Sequence, residues 1–330
     1  MQPSVTMNDV EAAAQRLRGR ADSTPLVPSF WAGADLWLKL EICQPIGAFK
    51  LRGALNAVEA VEADGVVCCS TGNHGRGVAW AARAAGKRAV ICMSSLVPQA
   101  KVDGIRALGA DVRIIGRSQD DAQAEAERLV EAEGLAEISP FDDPLVIAGQ
   151  ATIGAEIMAK KPETETVLVP LSGGGLAAGT GLSVKAANPK ARVIGVSMDR
   201  GAAMAESLRA GYPVAVEEVP SLADSLGGGI GMQNRLSFPM CRDFLDEVLH
   251  VSEEEVYAAM QELFYKDRLV AEGASVVGLA ALMTGKVDAK GPVATIVTGR
   301  NMDMDQFTRV ITGRDVTLGD VTIKGRPHAA

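Results

Sequence analysis

GVVCCSTGNHGRGVAWAARAAGKRAVICM spans residues 65–93 and sets the fold class. GVVCCS (65–70) is a short apolar run that ends in turn chemistry, and GVAWAARAAG (77–86) has the small-residue spacing of a helix that stops at Gly86. RAVICM (88–93) is apolar again. Two such runs joined by a helix are parallel strands with a crossover, because parallel neighbours cannot be linked by a tight turn. The alternation continues outward. PQAKVDGIRALG (98–109) reads as a helix, DVRIIG (111–116) as a strand and DDAQAEAERLVEAEG (120–134) as an amphipathic helix ending at Gly134. TVLVPL (166–171), a helix from about Gly174 to Ala187, and RVIGVS (192–197) repeat the unit, and VATIVT (293–298) closes the series as a buried strand. SEEEVYAAMQELFYKD (252–267) predicts a long helix with Ser252 as N-cap and Glu255 completing a capping box. The expected class is α/β, with two lobes that are each a mainly parallel sheet flanked by helices.

The 330 residues suffice for one large or two modest domains. Hydrophobic residues make up 47% and charged residues 22%, the balance of an ordinary globular chain with a buriable core. A net charge of −8, scattered Lys and Arg, and 4% aromatics offer neither a field nor stacking platforms for nucleic acid. No apolar run is long enough to span a membrane, and MQPSVTMNDVEAAAQ lacks the regions of a signal peptide, so a cytoplasmic protein is expected. Cys43, Cys68, Cys69, Cys92 and Cys241 form no CxxC pair and no ligand spacing with the three histidines. TIKGRPHAA, from Thr322, is polar and reads as a frayed end.

Function in open parallel sheets collects where strands end and helices begin. STGNHGRG (70–77) sets hydroxyls, glycines and an amide at a helix start, an arrangement that offers backbone N–H groups to an anion such as a carboxylate. LSGGGLAAG (171–179) places three consecutive glycines before a helix, where backbone amides can approach a phosphate closely. Its Gly173, Gly175 and Ala178, with Asp199 after the next strand, also imitate a dinucleotide fingerprint, which opens a nicotinamide-dependent oxidoreductase as a rival reading. TGRNMDM (298–304) begins with a hydroxyl, Thr298, at the end of a buried strand. QPIGAFKLRGA (44–54) embeds Lys50 among small and apolar residues, the setting in which an amine is kept near neutral for attack on a carbonyl. An amine, an anion loop, a phosphate loop and a strand-end hydroxyl are together complementary to pyridoxal 5′-phosphate. The dinucleotide reading leaves Lys50 and STGNHGRG unexplained.

These residues resemble the motifs of fold-type II pyridoxal-phosphate enzymes. GAFKLRGA is similar to their S-F-K-x-R-G, STGNHGRG to S-S-G-N-H, LSGGGLAAG to their glycine-rich phosphate loop, VIAGQATIGAE (146–156) to A-G-Q-x-T, and TGRNMD to S-G-G-N-x-D. Order and spacing agree from about residue 20 to 312. The resemblance is to threonine and serine dehydratases, serine racemase and 3-hydroxyaspartate dehydratase, and STGNHGRG with LADSLGGGIG (222–231) is most similar to a subgroup with hydroxyaspartate and ectoine-utilisation dehydratases.

The resemblance implies a large cofactor-binding domain (1–64 and 143–321), a smaller inserted α/β domain (65–142), a flexible tail (322–330), and a homodimer. It implies that Lys50 is the Schiff-base lysine and the base at Cα, that Phe49 lies beside the cofactor ring, and that Asn73 hydrogen-bonds the ring 3-oxygen. Ser172, Gly173, Gly174, Gly175 and Leu176 would hold the phosphate, and Thr298 the pyridine nitrogen. Ser70, Thr71, Gly72 and His74 would frame the substrate carboxylate, mostly through backbone amides. The implied activity is a dehydratase, or ammonia-lyase, that converts a 3-hydroxy amino acid of the 3-hydroxyaspartate, threonine or serine type to a 2-oxo acid and ammonia. An amino-acid racemase is the alternative; there a serine stands as second acid/base where this chain has Thr71, a second catalytic candidate. Ser172 replaces a glycine of the phosphate loop. Arg76 and Arg300 are candidates for a second substrate carboxylate. Ser197, Gly201 and Ala203 stand where several relatives carry cation-binding carboxylates, so no metal is expected there.

Overall fold

The computed structural model describes residues 5–29, 35–70, 72–95, 97, 99–117 and 119–328. Thr71 lies outside them. The strands are β1 (Leu26–Pro28), β2 (Leu36–Leu40), β3 (Gly65–Cys69), β4 (Arg88–Met93), β5 (Asp111–Ile114), β6 (Ala136–Glu137), β7 (Thr166–Pro170), β8 (Arg192–Met198), β9 (Glu247–Val251), β10 (Val293–Val297), β11 (Val316–Leu318) and β12 (Val321–Ile323). One sheet has six strands in the order β1-β2-β10-β7-β8-β9, and a second has four in the order β5-β4-β3-β6. All pairs within these two sheets are parallel except β1 with β2. β3, β7 and β10 are buried along their whole length. They carry continuous apolar runs because helices cover both faces. The α/β class with parallel sheets is therefore as the alternation predicts.

The helix after β3 runs Asn73–Ala84, four residues earlier than the apolar spacing suggested. STGNHGRG is thus a helix start as well as a loop. Ser252 caps the helix Glu253–Asp267 with Glu255 as the reciprocal partner, as expected. The edge strands β1 and β9 and the two-residue β6 escape the sequence because they are short or half-exposed. Of residues 322–330, where the composition suggested a frayed end, Thr322 and Ile323 belong to β12 and 324–328 pack back on the fold, while 329–330 lie outside the described residues. The Arg326 carbonyl accepts from Gln261 Nε2 at 2.8 Å, and the His328 ring stacks on Tyr265 with 4.5 Å between centroids. Apolar and hydrogen-bonding partners elsewhere in the chain override the local polarity.

Two features position the segment around Lys50. The helix Lys50–Ala60 crosses the helix Pro144–Lys160 so closely that a Cβ on Gly149 would stand 2.7 Å from the Arg52 carbonyl oxygen and from Gly53 Cα. The glycines of AGQATIG are spacers for this crossing and for the contact of Gly154 with Thr180. Beside the crossing, the buried Arg52 guanidinium grips Glu41 (2.8 and 2.9 Å) and Glu156 (2.6 and 2.9 Å), and Lys39 joins Glu156 and donates to the Thr24 carbonyl at 2.7 Å. Such a charged cluster persists in a core only when every partner is present.

Candidate active site

The loops singled out in the sequence converge at the C-terminal ends of β10 and β7 in one sheet and of β3 and β6 in the other. Between them is a cavity of about 470 Å³, a size suited to a small organic molecule. Phe49, Lys50, Ser70, Gly72, Asn73, His74 and Thr298 line it, and so do Ser172 to Leu176. The residues expected to hold the cofactor and the substrate's first carboxylate are all on this wall apart from Thr71, which is outside the described residues.

Lys50 opens its helix, and the chain before it is stitched to the strand-end loop after β10. Phe49 N donates to the Thr298 carbonyl at 2.9 Å and Arg300 N to the Gly47 carbonyl at 3.0 Å. Gly47 takes φ +73°, a left-handed conformation that glycine adopts without strain. Lys50 Nζ donates to the Pro140 carbonyl at 2.7 Å and lies 5.3 Å from the centre of the Phe49 ring. Removal from water pushes its pKa down to about 8. With that pKa about a tenth of the amine is uncharged at pH 7, roughly 300-fold more than at the ordinary value of 10.5, and the uncharged form is what a carbonyl-attacking nucleophile needs.

The glycine run sits between β7 and the helix Gly175–Ala187. Gly174 adopts φ +92°. A Cβ on Gly173 would overlap the Phe141 ring, and one on Gly175 would stand 2.8 Å from the Phe141 carbonyl oxygen. Ser237 Oγ donates to the Gly173 carbonyl at 2.7 Å and Cys241 Sγ to the Gly174 carbonyl at 3.4 Å. These bonds tie the loop's carbonyls away on the Ser237–Phe244 helix. The free N–H groups at the N-terminus of the Gly175 helix make an anion site.

His74 is buried, and its Nε2 meets the Ile138 carbonyl at 2.8 Å. A carbonyl only accepts, so Nε2 carries the proton and Nδ1 the lone pair. Burial, then the neighbouring Lys50 charge, push its pKa down to about 3. The ring is neutral, and any role toward a carboxylate falls to backbone amides. Gly72 caps the helix with no side-chain bond, which leaves first-turn N–H groups available. Thr298 Oγ1 is 3.0 Å from Ser275 Oγ.

Several lining residues were not singled out in the sequence. Pro140 and Phe141 follow β6, too short to announce a strand end. Glu218, Asp224, Ser225 and Gly227 to Gly229 also line the cavity, as does the buried Glu272. The triglycine of LADSLGGGIG was the available signal for that segment. Arg76 and Arg300 do not line the cavity: Arg300 is exposed, and Arg76 lies against Gly104 and Asn301. Asp199, the acidic residue of the dinucleotide imitation, is exposed and also off this wall.

An amine near neutrality, a glycine cradle at a helix N-terminus and a hydroxyl at a strand end fit pyridoxal phosphate on three separate sides. The family model described as pyridoxal-phosphate dependent enzyme matches residues 18–299. An L-threonine ammonia-lyase of Thermotoga maritima is 38% identical over 98% of this chain and 84% of its own. A Sinorhizobium fredii protein, provisionally named a threonine dehydratase, is 52% identical over 94% of this chain and 96% of its own. Among solved structures, a maize serine racemase covers 93% of this chain and 97% of its own, with 29% identity and a TM-score of 0.87. The oxidoreductase reading is thereby set aside. The chain belongs to the pyridoxal-phosphate dependent enzyme family, and its cofactor is pyridoxal 5′-phosphate.

Proposed function

We propose that this chain is an ammonia-lyase for a 3-hydroxy amino acid with an uncharged side chain, of the threonine or serine type. It eliminates the 3-hydroxyl as water and yields a 2-oxo acid and ammonia. One observation carries the choice among hydroxy amino acids: among the described residues Lys50 is the sole Lys or Arg lining the cavity, whereas Glu218, Asp224 and Glu272 all line it. A hydroxyaspartate would bring a second carboxylate to a wall that carries three of its own sign, and like charges in a partly dehydrated site repel. The threonine ammonia-lyase among the relatives supports the same reading.

When bound, pyridoxal phosphate supplies an electron-accepting ring that stabilises the negative charge left on Cα after proton loss. The chain's own groups do the rest. Lys50 would hold the cofactor covalently, and its amine, when free, would remove the Cα proton. Its lowered pKa makes it a competent base at neutral pH. The N–H groups of Ser172 to Leu176 would hold the phosphate, and Thr298 would address the ring nitrogen. Ser70, Gly72 and the His74 backbone would frame the substrate carboxylate. The reading also includes a cofactor held between a large domain (1–64 and 143–321) and an inserted one (65–142), a homodimer, and residence in the cytoplasm. No helix among the described residues is long and apolar enough to cross a membrane.

The test is spectroscopic and chemical. The purified protein with cofactor is expected to be yellow, with a band at about 410–420 nm from the lysine–cofactor imine. Lys50→Ala is expected to lose that band and nearly all 2-oxo acid release. A Lys50→Ala protein that kept both would contradict the assignment.

A further inference from the structure

We propose that Glu272 is a positioning residue: it fixes the Asn73 amide so that one N–H faces the cofactor, and it couples that amide to the Ser225 wall of the cavity. This rests on the reading of the cavity as the cofactor site. Asn301 Nδ2 donates to the Ile46 carbonyl at 2.8 Å, and a carbonyl can only accept, so the orientation of the Asn301 amide is settled. The same Nδ2 reaches Asn73 Oδ1 at 2.7 Å, which settles the Asn73 amide in turn. Asn73 Nδ2 must then face Glu272, and it does, at 2.9 Å from Oε1 and 3.3 Å from Oε2. An amide nitrogen has two hydrogens. Glu272 takes one, and the other is left for the cavity that Asn73 lines.

Glu272 is 2% exposed, and its other partners are Asn301 N at 2.8 Å and Ser225 Oγ at 2.8 Å. These partners are neutral donors. A carboxylate so placed is costly to bury, and a core side chain of the same size would cost less. Gly299 leaves room for it, since a Cβ there would stand 2.5 Å from Glu272 Oε1. Four separated segments meet at this one side chain: the helix start after β3, the Ser225 wall, Glu272 itself and the loop after β10. A shift of the Ser225 wall is therefore felt by the amide that addresses the cofactor.

The test compares holoenzymes of Glu272→Gln, Glu272→Ala and Asn301→Ala with wild type, by visible spectrum and by cofactor dissociation constant. Glu272→Gln keeps an oxygen that can accept from Asn73 and is expected to hold cofactor within about threefold of wild type. Glu272→Ala is expected to weaken it about tenfold, the worth of one good hydrogen bond, and to move the visible band. Asn301→Ala, which frees the Asn73 amide without touching the carboxylate, is expected to move the band in the same direction, and it carries the test should Glu272→Ala not fold. A yellow wild type whose alanine variants keep an unchanged band and affinity overturns the inference. So does equal loss in the Gln and Ala variants, which would assign the effect to charge. A wild type with no visible band would instead fail the cofactor reading beneath it.

Discussion

Two side chains on the cavity wall carry pH signatures of opposite consequence. Lys50 has a pKa of about 8 against an ordinary 10.5 because its amine is removed from water. Only the neutral amine attacks a carbonyl. In protein stripped of cofactor, the return of the visible band should accelerate about tenfold per pH unit below about 8 and level off above it. A rate still climbing at pH 9.5 would contradict the buried setting. His74 has its pKa near 3 rather than 6.5, so the folded state resists a proton that the unfolded chain accepts. Stability should be unaffected by this group above about pH 6.5 and should fall as pH drops from there toward 3. Thermal melts of His74→Asn across that range should show a shallower loss than wild type. The sequence made Lys50 visible because apolar neighbours around a lysine are unusual. It could not show that His74 is neutral, because its proton is directed by the carbonyl of Ile138, distant in the chain.

The loops depend on what stands behind them. Gly173 has no room for a Cβ against Phe141, and Gly174 is left-handed with Met204 Cε 2.5 Å from a hypothetical Cβ. Gly174→Ala should cost about 1–3 kcal/mol from backbone strain alone and release cofactor more readily, measured by melting and by equilibrium dialysis. Ser252→Ala removes one cap of the Glu253–Asp267 helix, far from the cavity lining. It should lower stability by about 1 kcal/mol with turnover intact. Arg52→Ala would leave the buried Glu41 and the half-buried Glu156 without the guanidinium they share, with only Lys39 beside them, at about 3–5 kcal/mol, and little folded protein is expected. Buried strands were legible as continuous apolar runs, and the capping box as Ser252 with Glu255. The helix start at Asn73 was not, because polar residues there read as loop until the tertiary fold recruits them. The Arg52 cluster was equally hidden: its partners lie 11 and 104 positions away.

For the molecule as a whole, the sign of the cavity's charge is the property that local motifs could not deliver. Two arginines in the motif loops suggested a pocket for a second carboxylate, but neither lines the cavity; Asp224, from a segment read only as a family marker, and Glu218, from the unmarked stretch before it, line it instead. Alanine at Arg76 or Arg300 should therefore leave threonine turnover within about twofold, as for residues outside the wall. The order of the motifs, by contrast, was legible along most of the chain, because most of them follow the ends of converging parallel strands, while VIAGQATIGAE marks the helix packed against the Lys50 helix. The most direct measurement is release of 2-oxo acid and ammonia by the holoenzyme from L-threonine, L-serine and the stereoisomers of 3-hydroxyaspartate, with chiral analysis of what remains. The account predicts equimolar 2-oxo acid and ammonia from threonine or serine and little from any hydroxyaspartate. Preferred turnover of a hydroxyaspartate, or inversion of substrate without elimination, would contradict it.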